Sequence, residues 1–137
     1  MTLLRTGQLD LVIAGGYDTL SEYAYAGFNS LRLVADGPIA PFAKDRQGMK
    51  LGEGYGVCVL ERFPHAEARG ARPLAQVLGC GESSDAHHLT QPHPEGEGGT
   101  RAMEAALADA GLNAADFDMI AAHATATPNN DAAECRA

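Results

Sequence analysis

Tryptophan is absent from this 137-residue chain, and phenylalanine and tyrosine contribute only four residues each, so any core is built mainly from aliphatic side chains. Cysteine is scarce and odd in number: Cys58, Cys80 and Cys135 lie far apart. That spacing excludes a disulfide framework, suits a reducing compartment, and offers no CxxC pair for zinc. Positive charge is also in short supply, with 10 Lys and Arg against 18 Asp and Glu and a net charge of -8. The basic residues are scattered, so no surface exists to neutralise a phosphate backbone, and nucleic acid is excluded as a partner. No apolar run approaches membrane-spanning length. The apolar stretch at the N-terminus is too short for a signal peptide and is interrupted by Asp10. With 45% hydrophobic and 20% charged residues, the composition is that of a soluble, acidic, cytoplasmic globular domain.

The pattern along the chain alternates strands with helices. Residues 9–14 (LDLVIA) form a β-branched apolar run closed by Gly15-Gly16, which predicts a buried strand. Leu20, Ala24, Gly27/Phe28, Leu31 and Val34 recur at helical spacing, and Asp36-Gly37-Pro38 stops that helix. A central strand is expected at residues 57–60, a short helix entered at Pro64 and left at Gly70, and a third strand at residues 74–78. Residues 79–99 are polar and Gly/Pro/His-rich, with the length of an active-site loop. Residues 100–110 carry a stripe of Met103, Ala106, Leu107 and Ala110 ended by Gly111, the strongest helix signal in the chain. Residues 118–122 (DMIAA) predict a fourth strand that delivers His123, and the order of elements argues an α/β layered fold.

Several clusters invite a chemical reading. Gly52-x-Gly54-x-Gly56 has the look of a nucleotide loop, but it precedes a strand instead of opening a helix, and Glu53 adds negative charge. Tight backbone packing is the expectation there. Gly96-x-Gly98-Gly99 does open a helix, yet Glu95 and Glu97 would repel an anion, so a close backbone approach is expected instead. His87, His88 and His93 near Asp85 match no zinc spacing, and no metal site is expected. His123 is different, because it enters a small polar turn with Thr125 and Thr127, followed by Asp131 and Glu134. A histidine at a strand's carboxyl end beside hydroxyls and carboxylates is where α/β folds place chemistry. A capped, hydrogen-bonded structural histidine explains the same residues, and the pattern alone leaves both open.

Six blocks in register then bear on that choice. They are residues 10–16 (DLVIAGG), residues 41–61 (PFAKDRQGMKLGEGYGVCVLE), and His65-Ala66-x-x-Arg69-Gly70-Ala71. The rest are Ser84-Asp85-Ala86-x-His88-Leu89-Thr90-x-Pro92, Gly96-Glu97-Gly98, and His123-Ala124-Thr125-Ala126-Thr127-Pro128-x-x-Asp131-x-x-Glu134. Across essentially its whole length the chain resembles the middle of an elongating β-ketoacyl-acyl carrier protein synthase. The resemblance implies part of a thiolase-like fold, with mixed sheets layered between helices as an αβαβα sandwich in its complete form. Residues up to about 72 would end the N-terminal half, and those from about 73 would start the C-terminal half. It implies a decarboxylative Claisen condensation of acyl and malonyl thioesters in fatty-acid or polyketide synthesis. The substrates ride on the phosphopantetheine of acyl carrier protein, without a further cofactor.

By the same resemblance, His123 donates a hydrogen bond to the malonyl thioester oxygen. Thr90, Thr125 and Thr127 bind the phosphopantetheine arm, and Asp131 and Glu134 support the site from behind. Acyl carrier protein is the implied partner, together with a second synthase copy or a partner synthase subunit. The nucleophilic cysteine, the lysine and the second histidine belong to family blocks outside these residues. Cys58 reads as an inert core thiol, so the chain by itself is expected to be inactive and poorly soluble. Ala124 stands where the family motif has glycine, a position less tolerant of positive φ. The competing reading is a non-catalytic, chain-length-factor type subunit. A thiolase relative that transfers acetyl groups is disfavoured by the His-x-Thr-x-Thr pattern.

Overall fold

Alternating β-branched residues and glycines in two segments give the chain its sheet. The computed structural model describes residues 1–137 and contains β1 (Leu11–Asp18) and β2 (Gly54–Glu61), paired antiparallel with Leu11 opposite Glu61 and Asp18 opposite Gly54. Gly15-Gly16, expected to end the first strand, instead lies inside it. A β-carbon on Gly15 would sit 2.5 Å from the Gly56 carbonyl oxygen, so close pairing at this point needs glycine. Gly52, Gly54 and Gly56 face open space, contrary to the tight packing expected of them; the steric demand falls on their partner strand.

The chain divides into two compact units. The first comprises residues 1–20 and 52–77, with the sheet, a one-turn helix α1 (Thr2–Arg5) and, after the sheet in sequence, another short helix (Phe63–Ala68). Leu4 and Ala66 are its buried apolar side chains. Pro64 in the first turn and Gly70 at φ 71 bound the Phe63–Ala68 helix as expected. Glu61 ends β2 and is nearly covered, with 8% of its side chain exposed. Arg69 grips it with both nitrogens, Nε to Oε1 at 2.8 Å and Nη2 to Oε2 at 2.7 Å, and His65 Nδ1 meets Oε1 as well. Arg62, the next residue, closes the same end of the ribbon against Asp10.

The second unit comprises residues 21–51 and 78–137. Its helices, with the remaining numbers assigned in chain order, are α2 (Glu22–Ser30), α4 (Glu97–Ala110) and α5 (Pro128–Glu134), the Phe63–Ala68 helix being α3. Ser21 caps α2 by accepting from the Ala24 N–H at 3.1 Å. Gly111 at φ 67 ends α4 in the left-handed conformation expected of it. Backbone at residues 79–81 runs against α4. β-carbons on Gly79 and Gly81 would lie 2.5 Å and 2.2 Å from the Ala106 and Ala102 carbonyl oxygens, and Cys80 N–H donates to Asp109 Oδ2. The glycines at 96 and 98 do serve close approach: their β-carbons would meet Ala133 O at 2.4 Å and Asp85 Oδ1 at 2.2 Å.

Two expected strands are absent. Residues 74–78 and 118–122 carry no ladder, and Leu74, Val77, Leu78, Met119 and Ile120 are all exposed. An apolar run becomes a strand only when a neighbouring strand pairs with it along its length, and the only ladder in this chain is that of β1 with β2. For the same reason Cys58 is exposed, not a core thiol: nothing covers the faces of β2, where Val57 and Val59 stand 61% and 59% exposed. The chain leaves 10539 Å² accessible, against roughly 6,800 Å² for a compact monomer of this size.

Two outcomes follow. Because Arg69 hydrogen bonds, reinforced by His65, outweigh desolvation, the Glu61 carboxyl is lowered from 4.5 to about 2. A depressed carboxylate favours the folded form above its unfolded pKa, so this contribution is complete above about 4.5 and is lost as pH falls to about 2. Arg69→Ala is expected to bring the Glu61 titration midpoint back toward 4.5, read by carbon-detected NMR of the carboxyl. The exposed apolar side chains of β1 and β2 are expected to make the isolated chain self-associate. Light scattering on a sizing column checks this, and a monodisperse monomer at micromolar concentration would contradict it.

Candidate functional site

Helix α5 organises the residues singled out around His123. Pro128 at its start fixes the entry, and Asp131 and Glu134 project from one face at i, i+3 spacing. Asp131 is only 1% exposed and has the most deeply buried of the chain's charged side chains. Its Oδ2 accepts the Phe42 N–H at 2.7 Å and its Oδ1 accepts the Ala126 N–H at 3.1 Å. Asn130 Nδ2 adds a longer contact to Oδ1 at 3.3 Å. Glu134 takes the His123 N–H at 2.6 Å on Oε1, and on Oε2 the Ala124 N–H at 2.8 Å and Asn130 Nδ2 at 2.9 Å. Two carboxylates thus collect three of the four backbone donors between His123 and Ala126. A buried carboxylate is tolerable only when so satisfied.

That loop is held in an uncommon shape. Ala124 and Ala126 have φ of 50° and 61°, and Phe42, whose N–H also goes to Asp131, has φ of 61°. Left-handed conformation costs a non-glycine residue roughly 1–2 kcal/mol. Strain of this kind persists where surrounding contacts over-determine it, and it concentrates at functional sites. Thr125 and Thr127 stand two residues apart with their hydroxyls 2.9 Å from each other, and Thr127 is 8% exposed. The loop therefore brings together His123, Thr125, Thr127, Asp131 and Glu134.

One sequence expectation needs correction here. His123 does not ride on a strand, because residues 118–122 form none, and it is exposed; what fixes it is its own N–H on Glu134. Thr90 is exposed in the loop of residues 79–95, where its N–H donates to His88 Nδ1 at 3.1 Å, and no hydrogen bond joins it to the His123 loop. In that same loop Asp85 accepts the N–H groups of His93 and Gly98, and His87 and His93 meet edge to face with centroids 4.8 Å apart. No three His, Cys, Asp or Glu side chains converge as metal ligands.

Sequence reasoning missed Phe42, Arg46 and Asn130. A cleft of about 300 Å³ opens beside α5, lined by Phe42, Arg46, Asp131, Ala132, Cys135 and Arg136. Phe42 and Arg46 reach it from more than 80 residues away in sequence, which no periodic signal encodes. Asn130, next to Asp131 in a helix's first turn, carried a local signal that the carboxylates overshadowed.

The chain that carries this histidine–threonine loop, clamped by two helix carboxylates, matches a known family in both of its halves. The N-terminal domain of β-ketoacyl synthases matches residues 1–66 and their C-terminal domain matches residues 74–137. The chain belongs to the β-ketoacyl synthase family, with a mixed α/β structure corresponding to part of the thiolase-like fold. Among individual relatives, it is 40% identical to 3-oxoacyl-[acyl-carrier-protein] synthase 2 of Staphylococcus aureus over 98% of its length, and 41% identical to the enzyme of the same name from Vibrio cholerae. It spans about a third of the length of these curated relatives, 35% and 34%. Among solved structures, the ishigamide ketosynthase/chain length factor superposes with a TM-score of 0.93 at 40% identity, covering 98% of this chain and 33% of that one. A ketosynthase in complex with its chain length factor from Xenorhabdus doucetiae gives 0.86 at 39% identity, covering 98% and 32%.

The left-handed alanine offers a direct test of the loop's strain. Ala124→Gly removes the β-carbon penalty at φ 50 but adds chain entropy to the unfolded state. The expected net is stabilisation by about 0.5–1 kcal/mol. Chemical denaturation of the two forms reads it, and a destabilised glycine variant would mean that the positive φ carries no strain.

Proposed function

We propose that this chain supplies the malonyl-binding side of a condensing site that joins acyl and malonyl thioesters with loss of carbon dioxide. The observation that carries this reading is the His123–Thr127 loop, in which the N–H groups of His123, Ala124 and Ala126 are held by Glu134 and Asp131. With its N–H on Glu134, His123 has a fixed main chain and a free imidazole. In the proposed step, the malonyl carboxylate leaves as carbon dioxide and its bonding electrons form an enolate at the thioester. An imidazole N–H donates to the enolate oxygen as charge develops. The enolate carbon then attacks an enzyme-bound acyl thioester, forming the carbon–carbon bond and releasing the cysteine thiolate. Fixed donors aimed at developing charge are among the largest contributors to such catalysis.

Thr125 and Thr127 present paired hydroxyls beside His123, suited to the amide groups of a phosphopantetheine arm, and Thr90 is assigned to the same arm. Asp131 and Glu134 act through the loop they hold and touch no reacting atom. Mid-strand Cys58 on β2, and Cys80 against α4, are not assigned the nucleophile's part, nor is Cys135 at the end of α5. The substrates are borne by acyl carrier protein, with no separate cofactor. The partners are that carrier and a second synthase copy or partner synthase subunit. Residues 1–72 and 73–137 are read as the end of one half and the start of the next. No helix is long and apolar enough to cross a membrane, and the cytoplasm is the proposed compartment.

The test places this chain in the matching third of the Staphylococcus aureus synthase, the region it resembles at 40% identity. The chimera is expected to release carbon dioxide from malonyl carrier protein and to form a β-ketoacyl product. His123→Ala is expected to lower the rate by roughly 10²–10³-fold, as removal of one fixed oxyanion donor does elsewhere. The 137-residue chain by itself is expected to form no product. An alanine variant at full rate would remove His123 from the chemistry.

A further inference from the structure

Arg46 is the one cation placed against Asp131, and its guanidinium does more than balance charge. Nε lies 3.7 Å from Asp131 Oδ2 and donates to the Thr127 carbonyl at 3.3 Å. Nη2 donates to the Pro128 carbonyl at 2.6 Å, and Nη1 to Ala43 O in its own loop at 3.0 Å. A single side chain, 18% exposed, therefore joins the loop of residues 41–46 to the junction at which the His123 loop becomes α5. Thr127 and Pro128 are the last residue of that loop and the first of the helix. The Phe42 N–H on Asp131 makes the second strut between the same two segments.

We propose that Arg46 is a positioning residue for the His123 loop, setting the register between α5 and the two threonines. It acts through Asp131 and the Thr127–Pro128 carbonyls, without touching the reacting atoms. This rests on the condensing-site reading above. The planar fork of arginine is what allows one group to serve three carbonyls and a carboxylate at once. A lysine ammonium is a point charge on a flexible stem and keeps the ion pair without the fork. Loss of the fork frees the start of α5 to shift, and a displacement on the order of 1 Å at a reacting group costs up to about 10²-fold in rate.

The experiment uses the full chain within the same chimera and compares Arg46→Ala, Arg46→Lys and His123→Ala. Malonyl decarboxylation is followed for kcat and KM, amide hydrogen exchange at Phe42, Ala124 and Ala126, and the thermal midpoint. The expected result is a kcat lowered about 10- to 100-fold in Arg46→Ala, with KM for malonyl carrier protein changed less than about threefold. Amide protection at Ala124 and Ala126 should fall with it. Arg46→Lys should recover the thermal midpoint but not the full kcat. Wild-type kcat in Arg46→Ala overturns the proposal. So does a loss of rate that follows only the loss of folded protein and is wholly restored by lysine. If His123→Ala keeps full activity, the condensing-site reading fails. The positioning inference then stands or falls on amide exchange alone: unchanged protection at Ala124 and Ala126 in Arg46→Ala refutes it.

Discussion

The buried carboxylate of Asp131 is the constraint on which the second unit's His123 loop depends. Its charge is removed from water, which is costly, and the cost is met by backbone N–H groups from two distant segments and by Arg46. Such a group cannot be satisfied by one partner alone. Each of its neighbours must be in place for the others to be tolerable, so the loop of residues 41–46, the His123 loop and the start of α5 are fixed together. Glu134 extends the arrangement by one helical turn and takes the two N–H groups nearest the imidazole. The rigidity lies in the main chain, while the His123 ring is left free to meet a ligand.

The distribution of strain supports the same view. Of the five non-glycine residues at positive φ, Phe42, Ala124 and Ala126 each give their N–H to a carboxylate of α5. Charge-assisted hydrogen bonds from backbone N–H to carboxylate are worth more than neutral ones, enough to offset a left-handed alanine's cost of roughly 1–2 kcal/mol. Ala124 and Ala126 adopt a geometry that glycine reaches at lower cost. The shape of the loop is thus imposed by its acceptors and does not come from the intrinsic freedom of the residue.

Legibility in the sequence followed how locally each feature is determined. The paired strands, the Pro64 entry and the Gly111 exit were readable because propensity, capping and periodicity act within a few residues. The runs at 74–78 and 118–122 misled because β structure is a property of a pair, and an apolar sequence does not state whether its partner is present. The expected core position of Cys58 failed on the same ground. Within the site, the motif from His123 to Glu134 was legible, since donors and acceptors lie no more than 11 positions apart. Arg46 was not, because its contacts lie 81 and 82 residues away and nothing in PFAKDRQG announces them.

Exposure of His123 is compatible with a catalytic part once the roles of ring and backbone are separated. Electrostatic stabilisation requires a donor whose position is fixed before charge develops, and water must be excluded only when substrate is bound. The main-chain anchor on Glu134 fixes the backbone from which the imidazole projects. The curated relatives have about three times as much chain, and the apolar residues at 74–78 and 118–122 stand exposed in this one. Residues 118–122 lead directly into His123, so covering them would also order the approach to the imidazole.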